Sequence, residues 1–510
     1  MTQFNLHYSQ MRDNIVVLTC IAIGALLFVS VFSYTTSPLY DVYADAPDSP
    51  IFQIVGKYWA EGAVPYRDLW DMKGPYVFFN NAIGYELTGT RHGVWLVQTI
   101  TMFFTLLALF KLFRLYFSAY PSLWLMLLCM AALSYVYDGG NMTEEYVLPW
   151  LAFSFFQVTL WVKAYSDGVV VSHKHSPMSA LLYGITFGLC LLSRLTNALA
   201  LSGAILVITL SLMNDKYYKN LFQNVVAFLV GFAASVLPFV VYFAHHQSLQ
   251  QMWNATFAYA TQYLGMSSAD VFSNGVHYFL LSYIGCILLL GLAFYRMVVR
   301  RRMDVQSWLW TLSAGLPFIW FLLGNGYSHY GMTVLPLVAI SLTQIVMLRL
   351  SKLRIVVLAA ILVGCASKLL FMTVICDYEN KNVAAYRAFL HECPDVDYTS
   401  FVAYNCDPNI YLDLNIKPAT PYFALQDMAQ SHTKSLPNDI AEAFMENKPE
   451  WVLLFSPPTL PSPIVSPILS AYYIVIQQKA EQYLTLYRRR GLGDAAEPKQ
   501  EGGGEGSAEP

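Results

Sequence analysis

Charge is what this chain has least of. Only 12% of its 510 residues are Asp, Glu, Lys or Arg, against roughly 25% in an average soluble domain. There is no basic domain and no nucleic-acid motif, so nucleic-acid binding finds no support. Several catalytic signatures are missing as well. The chain has no Walker A loop, no G-x-G-x-x-G and no G-x-S-x-G, which sets aside P-loop, dinucleotide and nucleophile-elbow chemistry. Its ten histidines show no metal-ligand spacing, and its eight cysteines contain no C-x-x-C pair. Cys20, Cys129, Cys190, Cys286 and Cys365 fall in apolar runs and read as small core residues. Cys376, Cys393 and Cys406 lie in a polar C-terminal region, where two of them can pair if that region faces an oxidising compartment. No internal repeat is visible.

What fills the chain is apolar: 56% of it is hydrophobic. Ile15–Tyr34 is the first long run, longer than a signal-peptide core and without a clean small-x-small cleavage site, so it reads as retained. Further runs lie near 94–117, 123–136, 146–162, 178–192, 195–212, 221–243, 276–294, 308–323, 332–348 and 355–374. Each approaches the length of a helix across a bilayer, which predicts an all-α polytopic membrane protein with about eleven transmembrane helices. Lys and Arg mark alternate connections: Lys111 and Arg114, Lys163 and Lys174, Lys216 and Lys219, Arg296 and Arg300–Arg302, then Arg349, Lys352 and Arg354. The other set holds Arg194, and its connections 245–275 and 324–330 contain neither Lys nor Arg. Positive charge marks the cytoplasmic side, so the N-terminus is expected there. The first long loop and everything after Asp377 are then expected outside a cell (plasma or inner) membrane.

The expected division is a transmembrane region over 1–376, whose first outer loop spans 35–92, followed by a small extracytoplasmic α/β domain over 377–490. Helical patterns at Val383–His391 and Asn438–Asn447 and β-rich runs at Phe401–Tyr404, Trp451–Phe455 and Tyr472–Tyr487 support that domain. The tail 491–510 is rich in Gly, Glu, Ala and Pro and reads as disordered.

The candidate chemistry gathers in the outer connections. Residues 41–84 hold Asp41, Asp45, Asp48, Glu61, Arg67, Asp68, Asp71 and Lys73 among many aromatics, more than a simple joining loop requires. Asp48 precedes an apolar-aromatic helical pattern with Pro50 in its first turn. The plain reading is a helix cap; a carboxylate fixed in this way also suits a general base. Lys73, in D-M-K-G-P, is either a lysine reaching to lipid headgroups or a point charge for a phosphate, its turn fixed by Gly74 and Pro75. Arg194 stands in the short turn S-R-L-T-N between two apolar runs. Lipid headgroups would satisfy it, and a fixed anionic ligand would do so more specifically. In D-G-G-N-M-T-E-E, Asn141 and Glu144 have the spacing of a capping box, which leaves Glu145 free. N-M-T there, like N-A-T at Asn254, also fits a short glycosylation sequon. His329 and Tyr330 open a later run, where capping and ligand roles are equally compatible with the sequence.

Three motifs in the first loop carry a resemblance: Asp48-Ser49-Pro50-Ile51-Phe52, Gly62-Ala63-Val64-Pro65-Tyr66-Arg67-Asp68 and Asp71-Met72-Lys73-Gly74-Pro75. The chain resembles the GT-C superfamily of membrane glycosyltransferases. The likeness is to bacterial relatives in the branch of dolichyl-phosphate-mannose protein mannosyltransferases and lipid A aminoarabinose transferases. Thr143–Tyr146, Arg194–Asn197, His329-Tyr330 and Pro336 fall where that family has comparable motifs. The resemblance implies sugar transfer from a polyprenyl-phosphate donor to a lipid, glycan or protein acceptor on the outer face of the membrane. By position Asp48 matches the family's catalytic acidic residue and Lys73 its phosphate-contacting lysine. Arg194 is the second candidate for the donor phosphate, and Asp45, Asp71, Glu144, Glu145, His329 and Tyr330 are candidates for the sugar or acceptor. The chain departs in having Ser49 where many relatives have a second acid and Met72 where closer ones have His. A divalent cation is therefore compatible with the resemblance but not required by it, and no other cofactor is implied.

The chemistry agrees with the residue set. A phosphate-linked sugar leaves as a stable anion, so one base for the acceptor hydroxyl and cations for the phosphate suffice. The competing class is a transporter or flippase of a lipid-linked or anionic solute, whose ionisable residues should line a path through the membrane. Here they collect on one face. A scaffold that binds a partner through its outer domain would leave Asp48 dispensable.

Overall fold

The computed structural model describes residues 2–40, 48–166, 173–259, 282–323, 327–376, 381–426, 436–458 and 462–491. Asp45 and residues 492–510 therefore lie outside the described residues, as does the start expected for the run near 276.

The first long helices follow the apolar runs: α1 Thr2–Phe32, then, after two helices of the outer loop, α4 Arg91–Arg114, α5 Ala119–Val136 and α6 Thr143–Ser166. Next come α7 Pro177–Leu191, α8 Leu199–Asn214, α9 Tyr218–His245 and a short α10 Leu249–Trp253. The bundle is completed by α11 Ile284–Phe294, α12 Val305–Leu323, α13 Leu335–Met347 and α14 Ser351–Cys376. Among the described residues, 8 segments are long and apolar enough to cross a membrane, and Pro177–Leu191 and Ile284–Val299 are shorter apolar helices. The chain is a multi-pass helical membrane protein. Its buried core is formed largely by α4, α6, α8 and α13, whose Leu109, Phe155, Leu201 and Ile340 are almost wholly enclosed. By contrast α9 and α14 present rows of exposed apolar residues such as Leu229, Leu237, Leu362 and Leu370, a pattern suited to lipid.

The outer loop is a folded element. Asp48 begins α2, Asp48–Ala60, with Pro50 in its first turn, and α2 is buried from Ser49 to Tyr58. A second helix, α3 Pro75–Thr88, follows the D-M-K-G-P turn; Pro75 sits in its first turn and Gly89 ends it in the left-handed region. Gly56 lets α2 and α3 touch: a Cβ there would lie 2.3 Å from Asn81 Cβ.

The chain divides into two compact units, residues 1–385 with 407–415, and 386–406 with 416–510. In the second unit four strands, β1 Phe401–Tyr404, β2 Trp451–Phe455, β3 Tyr473–Lys479 and β4 Leu484–Arg489, form a sheet in the order β1-β2-β4-β3. β1 and β2 run parallel, while β4 is antiparallel to both of its neighbours. The helices Leu436–Asn447 and Ser466–Tyr472 belong to the same unit. Cys393 and Cys406 are not joined; the Cys376 side chain lies outside the described residues.

Candidate active site

Four separate stretches of the first unit bring their polar residues together at one end of the bundle. Asp48 is fixed by the start of α2. Lys73 reaches it from the following loop, with Nζ 3.9 Å from Asp48 Oδ2. The loop itself is held three ways. Asp71 Oδ1 accepts the Lys73 backbone N–H at 2.8 Å. Tyr66, in the left-handed region at φ 69°, donates its hydroxyl to the Lys73 carbonyl at 2.8 Å. The backbone then docks on the turn after α7, through Gly74 N to Ser193 O at 3.3 Å and Tyr76 N to Leu192 O at 3.0 Å. The last contact requires glycine, since a Cβ on residue 74 would stand 2.1 Å from the Leu192 carbonyl oxygen.

That docking sets Lys73 beside Arg194, the next residue of the turn. The Arg194 guanidinium lies 3.3 Å from the centroid of the Tyr330 ring, a stacked cation–π contact. Tyr330 belongs to the 3₁₀ turn Ser328–Val334 that leads into α13. Glu144, in the first turn of α6, places Oε1 3.7 Å from Arg194 Nη1 while its other oxygen accepts from Thr143 Oγ1 at 2.7 Å. The 3.7 Å contact is too long for a hydrogen bond. Arg194 Nη1 and Glu144 Oε1 are buried without a partner among the described residues, and so are Ser193 Oγ, Thr196 Oγ1 and Asn197 Nδ2 from the same turn. Such a collection of unsatisfied polar atoms marks a place for a polar ligand.

Electrostatics accentuate the site. Burial works most strongly against the Lys73 ammonium, but Asp48, Tyr330 and Asp71 together outweigh it and hold Lys73 above its ordinary pKa, so it carries a full charge at neutral pH. Burial pushes the Asp71 carboxyl up to about 6, although Lys73 pulls it down.

The adjacent acids divide their roles in the reverse of the capping-box expectation. It is Glu145, not Glu144, that accepts the Asn141 backbone N–H, at 2.8 Å. Glu145 also accepts from Gln98 Nε2 at 2.9 Å and from the Tyr137 hydroxyl. It anchors a buried network in which Asn141 Nδ2 donates to Ser49 Oγ at 3.0 Å, directly behind Asp48. Asn141 is fully buried, so its N-M-T triplet is no glycosylation acceptor. His329 pairs with Asp138 Oδ2 at 3.1 Å and packs edge-on against the Tyr330 ring, centroids 4.6 Å apart. Sequence reasoning quoted Tyr66 only within a motif, without a role, and missed Gln98, Tyr137 and Asn81, whose amide pairs with Asn141. A glutamine within an apolar run was the one available signal. Among the described residues no three His, Cys, Asp or Glu side chains group as a metal-ligand set, and Asp45, which belongs to the same loop, lies outside them.

By sequence, no family model matches the chain and no curated protein does. By structure, it has the fold of the GT-C membrane glycosyltransferases. One match is to ArnT from Cupriavidus metallidurans bound to undecaprenyl phosphate, with a TM-score of 0.57 at 13% identity, covering 93% of this chain and 97% of that one. ArnT from the same organism in the apo state gives a TM-score of 0.54 at 13% identity, covering 94% and 98%.

Proposed function

We propose that the chain is a membrane glycosyltransferase that moves a sugar from a polyprenyl-phosphate donor to a cell-envelope acceptor at the outer face of the membrane. The observation that carries this reading is the gathering of two cations, Lys73 beside Asp48 and Arg194 beside Glu144, where Arg194 Nη1 lacks a hydrogen-bond partner among the described residues. Asp48 takes the proton of the acceptor hydroxyl as its oxygen attacks the sugar carbon. The bond from that carbon to the phosphate oxygen breaks, and the polyprenyl phosphate leaves as an anion held by Lys73 and the planar fork of Arg194. Tyr330 beneath the guanidinium keeps that fork oriented. Asp71, Glu144 and the neighbouring Thr196 and Asn197 are assigned to the sugar or acceptor. Undecaprenyl phosphate bound in the ArnT structure supports a polyprenyl phosphate as the carrier. The lipid tail of such a donor stays among helices, which explains why the site lies at the end of a membrane bundle.

Binding of undecaprenyl phosphate to the purified chain tests the reading. Lys73→Ala and Arg194→Ala should each weaken binding by about tenfold or more, the scale of a lost charge-assisted hydrogen bond. Asp48→Asn, which keeps a helix-start oxygen, should bind about as well as the parent. Unchanged affinity in both cation variants would assign Lys73 and Arg194 to lipid headgroups.

A further inference from the structure

Two consecutive helices of the bundle, α8 and α9, part from each other because a glycine draws each toward another neighbour. On α7, Gly184 makes room for α9: a Cβ there would stand 2.0 Å from the Phe228 carbonyl oxygen. On α8, Gly203 does the same for α12, where a Cβ would lie 2.5 Å from the Leu312 backbone. Small residues permit such close approaches between membrane helices. What remains between α8 and α9 is an open groove of about 170 Å³. Ile205, Ile208 and Leu212 form one wall and Leu221, Val225 and Leu229 the other. The polar residues at its edge, His175 and Asn224, are bonded to each other: Asn224 Oδ1 lies 2.6 Å from His175 Nδ1, and Asn224 Nδ2 donates to the His175 carbonyl at 3.2 Å. Val225 and Leu229 are exposed, so the open side faces lipid and the groove suits hydrocarbon.

Position and length define the occupant. Tyr165, about 32 Å along α6 from Glu144 at a rise of about 1.5 Å per residue, donates its hydroxyl to Asp215 Oδ2 at 3.0 Å. The connection from α8 to α9 therefore lies at the end of the bundle opposite Asp48. From that end the groove runs about 12 Å along α9, between Leu221 and Leu229. Half of a bilayer's hydrocarbon core is about 15 Å deep, so the groove matches one acyl chain of the nearer leaflet and stops short of the far face.

Charge selects the headgroup. Lys216 stands in the turn between the two helices, held in the left-handed region at φ 58°. Lys174 comes to the same turn, with Nζ 5.8 Å from the Tyr217 ring. Both lysines are exposed. The acid beside them, Asp215, is engaged by Tyr165 and by His173, whose Nδ1 is 3.1 Å away. Basic side chains at the mouth of a groove between membrane helices fit an anionic headgroup. We propose that the groove holds one acyl chain of an anionic phospholipid, with the headgroup phosphate at Lys174 and Lys216.

Native mass spectrometry of the purified full chain tests this with phosphatidylglycerol and phosphatidylcholine of the same acyl chains as probes. The parent should retain one phosphatidylglycerol under conditions that strip phosphatidylcholine. Val225→Trp and Leu229→Trp fill the groove from its lipid-facing wall, and each should lose that retained lipid. Lys174→Gln combined with Lys216→Gln leaves the groove open and should lower phosphatidylglycerol retention by about tenfold, toward the level of phosphatidylcholine. Parent-like retention in either tryptophan variant would overturn the proposal. Equal retention of the two lipids by the parent, or an unchanged preference in the lysine variant, would overturn the anionic headgroup. Undecaprenyl phosphate binding at the Lys73 end should be the same in all of these variants, so a failure here is separable from a failure of the proposed function. Its loss in the tryptophan variants would assign the groove to the donor's tail instead.

Discussion

At the residue scale the account rests on Arg194. A lysine there would keep the charge but lose both the planar contact with Tyr330 and the two-pronged grip proposed for the donor phosphate. Arg194→Lys is therefore expected to raise the donor KM about tenfold, measured as donor-dependent turnover; an unchanged KM would mean that charge alone matters. Asp71 gives a pH signature. Its folded pKa of about 6 stands above the ordinary 3.8, so its proton favours the folded state at low pH. That contribution is complete below the unfolded value and is lost as pH rises through about 6. Asp71→Asn keeps the oxygen that accepts from Lys73 N and removes the titration. Relative to the parent, the variant should gain stability between pH 5 and 7.5, on the order of 1 kcal/mol after solvent screening, read as a widening difference in melting temperature. A constant difference across that range would contradict the assignment. Asp48, Lys73 and Arg194 were each legible in the sequence because charge is scarce and every charged residue in an outer connection is conspicuous. The division of labour between Glu144 and Glu145 was not. Neighbours on a helix point about 100° apart, and which one faces the site is decided by Gln98 and Tyr137, residues from another helix and another loop.

At the scale of elements, the site depends on how closely one loop backbone rides on another. Gly74→Ala would force a Cβ against the Leu192 carbonyl and lift Lys73 away from Arg194. The expected result is a loss of donor binding and of about 2 kcal/mol or more of stability, as for overpacking. Gly62 is the control. Its φ of 94° also favours glycine, but a Cβ there meets nothing within 4 Å. Gly62→Ala should cost only about 1 kcal/mol of backbone strain and leave donor binding intact. Equal damage from the two substitutions would show that strain, not docking, is what matters. The long helices were readable because each is a long, mostly apolar run, β1 and β2 because they are short β-rich apolar runs, and the stretch of β3 and β4 because it alternates. The helix α3 was not read, since Pro75–Thr88 lies inside a loop whose polar neighbours disguise it. The D-G-G-N turn, left-handed at all four residues from Asp138 to Asn141, was equally hidden. Its backbone is set by Ser33, Tyr34 and Glu145, which are distant in sequence or beyond the turn itself.

At the scale of the whole molecule, basic connections gather at the end of the bundle that holds Lys163 and Arg296, and the Asp48 site lies at the other. With positive charge on the cytoplasmic side, we propose that Asp48 faces outside. A cysteine at exposed Glu61 should react with a membrane-impermeant thiol reagent in intact cells, and one at exposed Arg301 only after lysis; the opposite pattern would invert the orientation. The central claim is that this chain consumes a polyprenyl-phosphate sugar with Asp48 as the base. Mass spectrometry of polyprenyl-phosphate sugars and envelope glycans tests it most directly, in cells that lack the chain and in cells that carry Asp48→Asn at normal abundance. The account predicts that one lipid-linked sugar accumulates in both and that the same sugar disappears from the envelope, with transfer by Asp48→Asn down by about a hundredfold or more. Unchanged lipid-linked sugars and glycans in both strains would contradict it, and accumulation in the first strain alone would remove Asp48 from the mechanism.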